Sequence, residues 1–312
     1  MSSDFIQPVL SICIPTFERA ECLRTCLRSI TEQMDADPEV ARCVEVVLGD
    51  NASGDHTGAV AREFQAKYPQ IVYFRNDQDL FLDRNLINVV NKARGEYCWL
   101  LGDDDALFPG SLKFVLNEFR SSHCAYYLAN FWGYDRELKL QVLDHPNFRN
   151  ATNQSYQTLA DFVRQIGNYK NMVGCFGGIS IQIFKRELWQ KFDKTPYIDT
   201  SIMHFFVILA MMKNQSFMLL GRPLVKVRSD NMRYNDSVPS LATHKARVEG
   251  TKKSLIWMMK LYDMPVSEWR INWFFFKDSL DHQLVQWIKF QVFTNLKARA
   301  WASKWYKKIF SK

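Results

Sequence analysis

The sequence predicts an α/β chain built on a mostly parallel, doubly wound sheet. Short apolar, strand-like runs alternate with segments of helical period over the first 130 residues, the pattern of strand–helix–strand units. One of those runs closes in a long polar loop that opens the next helix, and another ends in three consecutive carboxylates. Hydrophobic residues make up 47% of the 312, ample for a buried core.

The elements follow in order. Val9 to Ile14 reads as a strand stopped by Pro15-Thr16, and Leu23, Leu27, Ile30 and Met34 then fall at helical spacing. Val44 to Leu48 is a second strand. It runs into the loop Gly49-Asp50-Asn51-Ala52-Ser53-Gly54-Asp55-His56-Thr57, and a helix with Val60 and Phe64 inward follows. Ile71 to Phe74 is a third strand, and Asn85 to Ala93 a helix carrying Leu86, Val89 and Val90. Tyr97 to Leu101 reads as a fully buried strand, and Leu112, Val115, Leu116 and Phe119 mark the helix after it. Further strands are expected at Cys124 to Leu128, Ile179 to Phe184, Phe217 to Leu220 and Leu224 to Val227, with a strongly apolar helix through Met212 that Asp199-Thr200-Ser201 would cap. From Ala242 onward the chain reads as helical, basic and aromatic. The organisation expected is a domain over 1–240 and a helical extension over 241–312.

Charge separates the two parts. The net charge is +7, but residues 244–312 hold 14 Lys/Arg against 5 Asp/Glu, so the preceding 243 residues carry −2. The basic character belongs to the tail and signals a partner. Trp257, Trp269, Trp273, Trp287, Trp301 and Trp305 sit among its Lys and Arg residues, a composition suited to an anionic membrane surface. Lys304, Lys307 and Lys308 beside Trp305 are the least core-like. The competing reading is a helical subdomain packed on the core. Nucleic acid also attracts basic and aromatic residues, but no nucleic-acid motif is present, and no nucleic-acid partner is expected. Seven cysteines without a Cys-x-x-Cys pair suggest no disulfide framework and favour a reducing cytoplasm. The N-terminus has no signal-peptide pattern, and the longest apolar stretch, Ile202 to Met212, is too short to span a bilayer.

The chemistry converges on Gly102-Asp103-Asp104-Asp105. Three adjacent carboxylates repel and are costly to desolvate, so a strand end that carries them faces water or a divalent cation. Mg²⁺ and Mn²⁺ take oxygen ligands and bridge to phosphate, and ligands bind at the carboxyl ends of strands in open α/β sheets. The alternative is an acidic turn in which an Asp caps the next helix.

Three segments in register make a resemblance specific: Ile12-Cys13-Ile14-Pro15-Thr16-Phe17-Glu18-Arg19, the Gly49–Thr57 loop and the Gly-Asp-Asp-Asp strand end. Together they resemble family 2 glycosyltransferases of the GT-A fold. The resemblance implies a nucleoside diphosphate sugar donor, with Pro15, Thr16, Arg19, Asp50 and Ser53 around the nucleoside. It gives Asp83, Arg84 and Asn85 to the segment that closes over the donor. Asp103 and Asp104 would hold sugar and metal, with Asp104 foremost among the metal ligands and Asp105 beside it. The cofactor implied is Mn²⁺ or Mg²⁺. Gly102 stands where the usual Asp-x-Asp-Asp begins. Asp199 matches the general base of inverting members, although a plain N-cap would also place an Asp there. His204, on the following helix, is a second candidate base or acceptor contact, or simply a core histidine. Arg228 falls near the expected diphosphate, and Asp230 replaces a His the family often has.

Residues 177–180, 185–189, 197–204 and 222–231 resemble abequosyltransferases more narrowly. The expectation is a glycosyltransferase that moves a hexose or deoxyhexose to a lipid-linked saccharide in O-antigen or other surface polysaccharide synthesis. It would lie on the cytoplasmic face of a bacterial inner membrane. The rival readings are a sugar nucleotidyltransferase, which should show a Gly-rich basic loop where Pro15-Thr16-Phe17 stands, and a non-catalytic nucleotide-sugar-binding or scaffold protein lacking a base.

Overall fold

The computed structural model describes residues 7–143, 146–149, 152–166, 175–200, 202–229 and 252–264. Its first half is the parallel unit that strand–helix alternation predicts. β1 (Leu10–Thr16) lies between β2 (Val44–Asp50) and β4 (Tyr97–Leu100), with β3 (Ile71–Arg75) outside β2, and all three pairings are parallel. β1, β2 and β4 are buried along their whole length, which is why they read as continuous apolar runs rather than alternating ones. α1 (Ala20–Ala36) turns Leu23, Cys26, Leu27, Ile30 and Met34 inward. α3 (Thr57–Lys67) and α4 (Phe81–Lys92) add Val60, Phe64, Leu86, Val89 and Val90 to the core.

Beyond β4 the sheet is mixed. Its order is β3-β2-β1-β4-β8-β6-β9-β5, with β7 (Gln154–Tyr156) also on β9. β8 (Gln182–Lys185) is antiparallel to β4 and to β6 (Tyr126–Tyr134), and the two-residue β5 (Ala106–Leu107) is antiparallel to β9. The expectation of a mostly parallel sheet therefore holds throughout the first four strands in space, while the rest mixes antiparallel pairings with one parallel pairing, β6 with β9. The two expected strands at 217–220 and 224–227 are one strand, β9 (Phe217–Arg228), paired parallel to β6. Gly221-Arg222-Pro223 breaks the apolar run, and the register with β6 shifts on either side of Asn130. Asn130 absorbs the irregularity, its amide donating to Gly221 O at 2.7 Å and Phe148 O at 2.8 Å. A short α2 (Pro38–Cys43) also escaped the sequence reading, although Asp37 at its N-cap and Pro38 at its start are the usual signals. α5 (Ser111–Ser122) buries Leu112, Val115, Leu116 and Phe119, and α6 (Leu159–Ile166) buries Leu159, Phe162 and Val163.

The helix over residues 252–261, within the expected extension, packs on the core rather than standing apart. Leu255, Met258, Met259 and Tyr262 are buried, and the Tyr262 hydroxyl donates to Leu209 O at 2.7 Å. Asp230 and the tail from residue 265, including Trp269 and Lys304 to Lys308, lie outside the described residues.

One glycine sets the floor of the crevice. At the end of β2, a Cβ on Gly49 would lie 2.5 Å from Val89 Cγ2 and 2.8 Å from the Phe74 ring. Gly49→Ala must push α4 off the sheet, and overpacking of this kind costs about 1–3 kcal/mol. Urea unfolding should show the loss as a lowered midpoint with unchanged slope.

Candidate active site

The carboxyl ends of β1, β2 and β4 meet the first turn of α4 and the loop before the helix Met203–Met212. β4 stops at Leu100, and the chain turns through Gly102–Asp105. None of the three carboxylates caps the next helix: the N-cap of α5 is Gly110, at φ 77. They face different neighbours instead. Asp103 Oδ2 accepts the Thr16 hydroxyl at 2.7 Å, and its Oδ1 lies 3.2 Å from Arg19 Nη1. The same Arg19 nitrogen reaches Asp104 Oδ2 at 2.5 Å. Asp105 turns inward, where Oδ2 takes the Ser180 hydroxyl and Oδ1 accepts the Arg228 backbone N–H at 2.8 Å.

These surroundings set the electrostatics. Burial, reinforced by the charge of Asp104, pushes Asp103 up to about 6 and Asp105 up to about 8. Burial alone would lower Arg19, but the two carboxylates beside it raise it instead. Arg228 braces the turn from β9, its Nε donating to Asp104 O at 2.7 Å.

The neighbouring loops are held by side chain to backbone bonds. Ser53 Oγ accepts the Glu18 N–H and Thr57 Oγ1 the Arg19 N–H, both at 2.9 Å, which fixes the start of α1 and aims Arg19 at the acidic turn. Pro15 is in register with Gly49 as β1 leaves β4. Asp50 is fully buried. Its Oδ1 accepts the Ser53 N–H and its Oδ2 the Tyr73 hydroxyl, each at 2.9 Å, and burial with that bond pushes Tyr73 up to about 12. Asp50 thus shapes the loop, whose exposed residues are Gly54, Asp55 and His56. Asp55 accepts the Thr57 N–H at 2.9 Å, which closes the turn ahead of α3, where His56 is the N-cap.

α4 joins this edge to the second half of the chain. Asn85 Nδ2 donates to Gly49 O at 2.8 Å. Its neighbours point elsewhere: Asp83 Oδ2 accepts the Asp199 N–H at 2.8 Å, and Arg84 pairs with the Asp199 carboxylate at 2.7 and 3.1 Å. Asp199 does not cap the helix expected behind it, because that helix starts at Met203 with Ile202 as its N-cap. His204 is not brought to the carboxylates. It is buried, its Nε2 lies 3.0 Å from Gly177 O, and burial lowers it to about 4. That is the core histidine of the bland alternative. Among the described residues, seven that are not glycine have positive φ, and Glu18, Ala52, Phe81 and Asp199 belong to this edge. Strained backbone concentrates where structure is over-determined by contacts.

Among the described residues, no group of three or more His, Cys, Asp or Glu side chains is arranged to hold a metal. Mg²⁺ needs less: one or two carboxylates complete its shell with water and substrate phosphate. Asp104 fits that demand, since its side chain is 19% exposed against 8% for Asp103, and Asp103 Oδ1 stands beside it behind one shared guanidinium. Asp105, expected as a second ligand, does not fit, because both of its oxygens are engaged in the interior. Sequence reasoning gave Tyr73 no role and placed Thr57 and Ser180 only within a polar loop and a matched segment, and the structure gives each a bond to the turn or its loops. Ser180 lies two residues after a Gly-Gly pair and Tyr73 sits in the middle of β3, which are weak signals at most.

Comparison with known proteins fits this geometry. Residues 11–188 match the Glycosyl transferase family 2. The chain is 31% identical to the abequosyltransferase RfbV of Salmonella typhimurium over 229 residues, which is 72% of this chain and 67% of that protein. It is also 31% identical to the GalNAc(5)-diNAcBac-PP-undecaprenol beta-1,3-glucosyltransferase of Campylobacter jejuni, over 36% of this chain and about a third of that enzyme. The crystal structure of S. aureus TarS 1-349 in complex with UDP-GlcNAc superposes with a TM-score of 0.60 at 13% identity, covering 93% of this chain and 83% of that one. That likeness is one of fold.

Proposed function

The chain belongs to glycosyl transferase family 2 with a GT-A fold, and from that premise we propose that it moves a hexose or deoxyhexose from a nucleoside diphosphate sugar to a lipid-linked saccharide. The observation that carries the reading is the juxtaposition of Thr16, Arg19, Asp103 and Asp104 at one strand edge. The 31% identity to a transferase of a dideoxyhexose favours surface polysaccharide assembly, and the undecaprenol-linked acceptor in the Campylobacter enzyme's name favours a lipid carrier.

In this reading Thr16 and the Gly49–Thr57 loop hold the nucleoside, and Asp103 orients the sugar. Asp104 would hold Mn²⁺ or Mg²⁺, which supplies charge neutralisation for the departing diphosphate. Arg19 moves from the two carboxylates toward donor phosphate, where a fixed guanidinium is well suited. Arg228, fixed at the back of the turn, adds positive charge near the same group. Asp199 takes the proton of the acceptor hydroxyl as that oxygen attacks the anomeric carbon. Asp50 and Ser53 support the nucleoside loop rather than contacting chemistry. The test is a panel of nucleoside diphosphate sugars offered to the purified protein with a polyprenyl-diphosphate saccharide. At least one donor should give an acceptor heavier by one sugar residue, and nucleoside triphosphate with sugar phosphate should give no activated sugar.

The enzyme would work at the cytoplasmic face of the membrane. No helix among the described residues is long and apolar enough to cross one. The helix over 252–261 turns Lys253, Trp257 and Lys260 outward, and the tail adds more basic and Trp residues. Each basic residue near an anionic surface contributes about 1 kcal/mol, fading beyond a Debye length. Liposomes rich in anionic lipid should therefore co-sediment the full chain at low salt and release it as salt rises. Removing residues 300–312 should weaken that binding and lower activity on a lipid-linked acceptor more than on a soluble one. Indifference of the full chain to anionic liposomes would remove the membrane from the proposal.

A further inference from the structure

Asp199 sits in an unusual grip. It lies between the short 3-10 turn Thr195–Tyr197 and the helix Met203–Met212, at φ 66, a left-handed conformation that residues with a side chain rarely adopt. Among the described residues, its hydrogen bonds come from α4, more than a hundred positions earlier in sequence. Arg84 donates Nη1 to Oδ1 at 2.7 Å and Nη2 to Oδ2 at 3.1 Å, and Asp83 Oδ2 accepts the Asp199 N–H at 2.8 Å. Two adjacent residues thus hold both ends of one: Asp83 the backbone, Arg84 the carboxylate. The next residue, Asn85, ties the same turn to Gly49 O at the end of β2.

A two-pronged guanidinium does more than add charge. It fixes the plane of the carboxylate and leaves about half of its four lone-pair positions open. An oxygen that must meet an acceptor hydroxyl needs that plane fixed, because small misplacements of a reacting group are costly. The donor-closing role that resemblance gave to Arg84 leaves this pairing unexplained.

We propose that Arg84 is a positioning residue for Asp199, so that the first turn of α4 links the nucleotide edge of the sheet to the acceptor side. The proposal rests on Asp199 being the base. Arg84 and Asp199 side chains are 45% and 49% exposed, so substitutions at either leave the core untouched.

The test is a double-mutant cycle with full-length enzyme, a metal-loaded donor and a saturating acceptor, using Arg84→Gln, Arg84→Lys, Asp199→Asn and the double variant. Arg84→Gln should lower kcat roughly ten- to hundredfold, with donor affinity by calorimetry unchanged. Arg84→Lys, which keeps the charge but loses the fork, should fall between Gln and the parent. The double variant should be no slower than Asp199→Asn alone, because a residue acting through another has nothing left to act on. Multiplying effects, or a loss of donor affinity that accounts for the whole defect, would mean that Arg84 works on the donor and would overturn the proposal. A silent Arg84→Gln beside a dead Asp199→Asn would overturn it and leave the base in place. A mild Asp199→Asn would overturn the base assignment and this proposal with it.

Discussion

Asp104→Asn is expected to reduce sugar transfer by at least about 10³-fold, the order that follows when several kcal/mol of charge stabilisation on the leaving diphosphate is lost. The substitution keeps the shape of the side chain and removes its charge. Asp104 is the most exposed of the three strand-end carboxylates, and its partner in the protein is the partly buried Arg19, so the fold should survive with a melting temperature close to that of the parent. Metal-dependent donor binding should disappear together with turnover. Asp105→Asn should behave differently. Asp105 is buried against Ser180 and the Arg228 backbone, and its replacement should lower stability while the donor still binds in a metal-dependent way. Full activity of the parent enzyme in excess chelator would contradict the assignment of a metal to Asp104.

Asp199→Asn is expected to lower kcat by roughly 10²–10⁴-fold, the usual worth of a positioned general base, with donor affinity unchanged. The amide can still accept from Arg84 through its oxygen, so the loop should stay in place while the proton acceptor is lost. His204→Ala is the informative control. The imidazole is buried with its Nε2 on Gly177 O, and among the described residues its Nδ1 has no hydrogen-bond partner. Its removal should cost stability of about 1–3 kcal/mol and leave turnover per folded molecule within a few fold. The reverse pattern, a damaging His204→Ala and a mild Asp199→Asn, would mean that the wrong residue carries the proton.

The sequence shows some of this plainly because local pattern reports it. β1, β2 and β4 stand out as apolar runs, and each is buried on both faces. The strand-end triplet is visible for the same reason, since three charges abruptly close such a run. What lay beyond reach depends on pairing across long separations. The side-by-side placement of β6 and β9, and the Asn130 contacts that let Gly221 and Pro223 sit inside a strand, involve residues about 90 positions apart. The Arg84–Asp199 pair spans 115. Composition and periodicity carry no trace of either. Asp105 misled for a related reason: in sequence it is equivalent to its two neighbours, and only the position of Ser180 and of β9 turns it inward. Residue type alone points to an N-cap at Asp199, but the helix starts at Met203, so Asp199 lies outside its first turn and is tied to α4.

If this strand edge and Asp199 serve one transfer reaction, the stoichiometry of its products shows it. Purified enzyme, Mn²⁺, the best donor of the panel and a polyprenyl-diphosphate saccharide would be mixed, and nucleoside diphosphate and acceptor mass would be read from the same samples. One nucleoside diphosphate should be released for each acceptor that gains one sugar residue, with both products lost together in Asp104→Asn and in Asp199→Asn. Donor bound with ordinary affinity, yet no acceptor gaining mass with any donor of the panel, would contradict it and leave a protein that binds nucleotide sugars without transferring them.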